Sequence, residues 1–160
     1  NALLNARYGT DFRYDEGMLT GDGASGEKRA KRLASGSKMG AVAMAVPPLR
    51  WLAQTFFLPK PGQGPSPEQQ RTGYFDVRLQ GTSSQAENAT AVMIKVTGDR
   101  DPGYGSTAKM LAQSGICLAR DKDTTAKTSG FVTPAVALGN SLVNRLELFA
   151  GFTFENLSQG

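Results

Sequence analysis

A chain of 160 residues carrying a net charge of +4 is long enough for one domain with its own core and too short for two ordinary ones. The excess of cations is mild and dispersed, so nucleic acid is not an expected partner. With no histidine and a single cysteine, Cys117, the sequence excludes internal disulfides, cysteine-held zinc and imidazole acid–base chemistry, and no metal site is expected.

Asn1-Ala2 reads as a remnant of tag removal, with neither an initiator methionine nor a signal sequence. The chain is therefore expected to begin partway through a longer, cytoplasmic protein. Leu3 to Tyr8 could complete a truncated helix. Phe12, Tyr14 and Met18, with polar residues between them, predict a short strand over Asp11 to Leu19. A flexible turn, Gly21 to Gly26, leads to Glu27-Lys28-Arg29-Ala30-Lys31-Arg32. Four cations in five residues could meet phosphate, and a solvated helix start is the plainer reading.

The most apolar segment is Met39 to Leu58, close to the ~20 residues a membrane span requires. Arg50 in its middle and the Pro47-Pro48 pair argue against a free-standing span. Two helices meeting at the prolines, within a helical region Lys28 to Leu58, fit better, buried against a sheet or a partner domain. The basic residues before it, with Trp51, Phe56 and Phe57 inside it, leave a peripheral membrane contact open. Pro59 to Gln70 is a proline- and glycine-rich internal loop. Tyr74 to Thr82 alternates with Phe75, Val77 and Leu79 on one face, and Asn88 to Thr97 alternates through Val92, Ile94 and Val96. Together they predict a hairpin. Asn88-Ala89-Thr90 is formally a glycosylation sequon.

Gly98-Asp99-Arg100-Asp101-Pro102-Gly103-Tyr104-Gly105 breaks the second strand and leads into a predicted helix, Ser106 to Arg120, with Ser106 placed as N-cap. Ala108, Leu111, Ala112, Gly115, Ile116 and Ala119 recur at helical spacing and predict its buried face. Cys117, mid-helix, reads as an inert packed thiol. Gly103-Tyr104-Gly105-Ser106-Thr107-Ala108 matches the dinucleotide fingerprint G-x-G-x-x-A between a strand and a helix. Its setting does not suit that role. The preceding strand is half of an antiparallel hairpin, and a polar loop, Asp121 to Gly130, stands where a second parallel strand should follow. Beyond the loop, Thr133 is a plausible N-cap for a helix Pro134 to Phe149, with Val136, Leu138, Leu142, Val143, Leu146 and Phe149 as its apolar side. Phe152 to Asn156 is a short final strand.

Non-alternating runs of strands and helices predict an α+β domain over residues 1–160, with a mixed, mostly antiparallel sheet and helices packed on one face. Several separated stretches carry a resemblance. Pro61-Gly62-Gln63-Gly64-Pro65-Ser66-Pro67-Glu68-Gln69-Gln70-Arg71, Gly98 through Leu118, Thr133-Pro134-Ala135 with Leu138-Gly139, and Gly151-Phe152-Thr153-Phe154-Glu155 together resemble the C-terminal part of the saccharopine dehydrogenase-like oxidoreductases. That group includes proteins called trans-acting enoyl reductases. The resemblance implies an N-terminal Rossmann domain for NAD or NADP in the parent protein, and no cofactor site in the present stretch. It implies an α+β part that contributes to the substrate cleft and to association, acting on a small-molecule or acyl substrate. No catalytic residue carries over. Arg100, Tyr104 and Lys109, on the turn and the helix start, are the candidates to face the cleft, where an anionic group is suited. The expected partners are the Rossmann domain and a second copy of the chain. A non-catalytic association module, or a peripheral membrane-contact module using Met39 to Leu58, is the alternative.

Overall fold

The computed structural model describes residues 4–60, 62–83, 91–121 and 130–158. Its compact units are two: Asn1–Gly9 with Pro65–Gly160, and Thr10–Gly64.

The larger unit holds α3 (Pro67–Thr72), β1 (Phe75–Thr82), β2 (Ala91–Gly98), α4 (Gly105–Arg120), α5 (Pro134–Ala150) and β3 (Phe152–Asn156). The strands form one antiparallel sheet in the order β1-β2-β3, so the fold is α+β. The expected hairpin is present. The first three residues of its predicted second strand, 88–90, lie outside the described residues, as do most of the polar loop after α4 and the three N-terminal residues.

Register explains where the core sits. Gly98 pairs with Phe75 on one side and Phe152 on the other. The two rings meet edge to face at 5.5 Å. A Cβ on Gly98 would come within 2.2 Å of the Phe75 ring, so only glycine leaves room for it. Leu146 and Ala150 of α5 pack on Phe152, joined by Phe75, Val96, Phe154, Leu142 and Met110. The helices thus cover the end of the sheet near Gly98, while Val77, Leu79 and Val92, further along, are exposed. The opposite face is polar. Thr97 and Thr153 share a 2.6 Å hydrogen bond there, and Lys95 pairs with Glu155.

Thr133 caps α5 as expected, its hydroxyl accepting from the Val136 N–H, and Pro134 fills the first helical position. The helix kinks at Gly139 and ends on Gly151 in the left-handed conformation. α4 corrects the expectation in two respects. Ser106 is not its N-cap. Nor is the small-residue stripe its buried face: Ala108, Ala112, Gly115 and Ala119 are exposed, and so is Leu111, while Ile116 is half-buried. The inward side carries Ser106, Met110, Gln113, Ser114 and Cys117. Polar partners make this orientation possible. Arg145 of α5 donates to Gln113 at 3.1 Å and to Asp121 at 3.3 Å, and its guanidinium lies over Phe149.

The smaller unit contains α1 (Gly23–Ala45) and α2 (Pro47–Phe56), two helices meeting at the prolines as expected. Val46 between them is extended, which the proline after it favours. Pro47 has no N–H to continue the α1 ladder. Residues 11–19, expected to be a strand, form none. Phe12, Tyr14, Met18 and Leu19 are exposed, so the alternation there has no buried side to define it. Of residues 39–58, expected to be buried against a sheet or a partner domain, Met39, Trp51, Phe56 and Phe57 are each at least 63% exposed in the chain itself. Among the described residues, no helix is long and apolar enough to cross a membrane.

Candidate functional site

The turn between β2 and α4 is built around one carboxylate. Asp101 accepts from the Gly105 N–H at 2.8 Å and the Tyr104 N–H at 2.9 Å, filling the capping role expected of Ser106. These backbone donors, Gly105 first, hold its carboxyl below the ordinary carboxylate range, against the opposing effect of desolvation. Ser106 is fully buried instead and donates from its hydroxyl to the Arg100 carbonyl at 3.0 Å. The turn is anchored on α3, whose Gln70 carbonyl accepts from the Asp101 N–H. α3 itself starts with a reciprocal capping box between Ser66 and Gln69.

Arg100 and Lys109 come together on this frame. With Arg71, Gln70, Pro67 and Gly105 they line an open depression of about 360 Å³ between α3 and the start of α4. Lys109 is held from behind by the Asp99 carboxylate at 2.5 Å and the Ala150 carbonyl at 3.0 Å. The Arg100 guanidinium donates to the Arg71 carbonyl at 3.4 Å, and among the described residues no carboxylate pairs with it. Tyr104 does not line the depression; its side chain is exposed beside it. Arg71 is the residue the sequence reading missed. Its signal was available in Ser66-x-x-Gln69 after a proline-rich loop, which marks a helix start and places Arg71 one turn further on.

A dinucleotide requires free N–H groups at the start of a helix that follows a parallel strand. Here the Tyr104 and Gly105 N–H groups are taken by Asp101. β2 is antiparallel to both neighbours. The space a Cβ would occupy at Gly105 is closed by Arg100 Cβ at 2.8 Å and Asp101 Oδ1 at 2.9 Å. These residues do not fit a dinucleotide, despite the fingerprint spelling.

Comparison with known proteins finds trans-acting enoyl reductases among the relatives of this chain. A Mycobacterium tuberculosis protein (strain H37Rv) with a provisional trans-acting enoyl reductase name is 33% identical over 149 residues, covering 91% of this chain and 35% of its own length. A trans-acting enoyl reductase of Mycobacterium ulcerans is 32% identical over 155 residues, covering 91% of this chain and 34% of its own. One from Mycobacterium bovis (strain BCG) is 33% identical over 151 residues, with coverage of 91% and 34%. The chain thus spans about a third of the length of the curated relatives it matches. No family model and no solved structure matches it.

Proposed function

We propose that this chain is the C-terminal, substrate-cleft and association part of a saccharopine dehydrogenase-like, NAD(P)-dependent oxidoreductase that reduces an enoyl group. The observation carrying this reading is the similarity to trans-acting enoyl reductases across 91% of the chain but only about a third of theirs. In this reading the cytoplasmic parent holds NAD or NADP in a Rossmann domain outside this stretch. The present residues orient the acceptor and exclude water while hydride passes from the nicotinamide. Arg100 and Lys109 face the cleft from the depression, with Tyr104 at its margin. The chain by itself is not catalytic.

A second reading is supported by the exposed apolar and aromatic residues of α2: a non-catalytic module for association or peripheral membrane contact. Two measurements separate the readings. Calorimetric titration of this chain with NAD and NADP should give no micromolar binding. The full-length parent should bind NADPH or NADH and oxidise it in the presence of an enoyl thioester. A parent that binds neither nucleotide overturns the oxidoreductase reading and leaves the second.

A further inference from the structure

We propose that the depression between α3 and α4 is an oxyanion site that takes a phosphate monoester, the anionic end of the substrate. As a statement about substrate, this rests on the cleft reading above; as a statement about an anion, it stands on the geometry alone. Three cations, Arg71, Arg100 and Lys109, line the depression, and no acidic side chain does. The two carboxylates that flank Arg100 are engaged elsewhere, Asp101 by the backbone of the α4 start and Asp99 by Lys109. Arg100 therefore keeps a guanidinium with one long bond to a carbonyl and no counter-ion among the described residues.

The other two cations are paired in ways that leave them usable. Arg71 pairs with Glu68 at 2.6 Å, with both side chains about two-thirds exposed. Such a pair is worth little in water, so Arg71 can exchange Glu68 for a ligand at small cost. Lys109 is fixed by Asp99 and the Ala150 carbonyl, and it adds a positioned charge at the edge of the depression. Two guanidinium forks match the oxygens of a phosphate, Arg100 with no carboxylate to displace and Arg71 once Glu68 gives way. The free amides of a helix start, the usual phosphate cradle, are not available at α4. Binding here must come from side chains, so it should be weak and sensitive to salt.

The test titrates inorganic phosphate into the full chain at constant ionic strength, followed by nitrogen–proton NMR of backbone and arginine Nε–H groups. Saturable shifts centred on Arg71, Arg100 and Gly105 are expected. Losing one charged donor in Arg100→Gln or in Arg71→Gln should weaken binding about tenfold. Arg78→Gln, on the polar face of the sheet, should bind as the parent chain does. Shifts that never saturate overturn the site, and so does weakening in Arg78→Gln equal to that in Arg100→Gln. The cleft reading is checked separately in the full-length parent. There Arg71→Gln should raise KM for a phosphate-bearing enoyl substrate and leave KM for its phosphate-free analogue unchanged. Phosphate bound at the depression with both KM values unmoved upholds the anion site and overturns its role in substrate binding.

Discussion

At Asp101 a single carboxylate does what a sequence pattern assigns to the serine five residues on. Its folded pKa is depressed by the Gly105 and Tyr104 N–H groups, so the sign of its contribution follows. The stabilisation is fully present above the unfolded aspartate value of about 3.9 and is lost as pH falls through the lower folded value. Asp101→Ala should therefore lower Tm near neutral pH, and the gap to the parent chain should close in acid. A gap that stays constant from neutral pH down to the acid transition would show that capping is not the cause. Gly98 tests a different residue-scale constraint, that of space. Gly98→Ala sets a methyl group into the Phe75 ring, which is itself held against Phe152. Overpacking of this kind costs about 1–3 kcal/mol. Urea unfolding should register that loss with an unchanged m-value, and an unaltered midpoint would mean that the rings separate freely.

Among the elements, α4 best separates what periodicity can tell from what it cannot. Its existence and its end at Arg120 follow from the sequence, because composition and the glycine-rich turn bound it on both sides. Its orientation does not, because Ala108, Leu111, Ala112 and Ala119 make the more apolar stripe yet face outward. The inward side is chosen by partners distant in sequence: Arg145 for Gln113, and the Ala150 carbonyl for Lys109. No local pattern encodes those. The same limit applies to residues 11–19, where alternation alone cannot supply a neighbouring strand. The hairpin was readable because both of its strands alternate and the register brings Phe75, Val77 and Leu79 onto one face with Val96 and Ile94. Of the candidate site, Arg100 and Lys109 could be read from the turn, whereas Arg71 joins them only through the docking of α3. The α4 orientation has a direct test in Cys117. The thiol is fully buried, and desolvation, with Asp121 beside it, raises its pKa. A thiol reagent should leave the folded chain unmodified at neutral pH and react at once in denaturant. Rapid labelling of the native chain would place Cys117 on the outer side and overturn the assignment.

For the whole molecule, the unresolved balance is between apolar surface and mild charge. α2 turns Leu49, Leu52 and Phe56 to one side, and Phe57, immediately after it, is 80% exposed. Fully burying such a side chain is worth roughly 1.5–3 kcal/mol, of which each forgoes the part that its exposure leaves in water. A net charge of +4 on 160 residues is a weak barrier to association. A closed two-fold pair is the commonest way for one chain to cover such a face, because the same patch serves both copies. The chain should therefore run in light scattering at twice its 17.0 kDa mass at micromolar concentration. Changing Phe56 and Phe57 together to Ser should return it to a single copy without unfolding, since neither side chain is buried in the chain itself. A clean monomer in the unaltered chain would sink the pairing. Unfolding of the double variant would instead assign the two rings to the core of their own unit. If the dimer forms and persists in the double variant, the contact lies elsewhere. The outward stripe of α4, where Leu111 is 74% exposed, is then the next face to alter, and Leu111→Glu should break the pair.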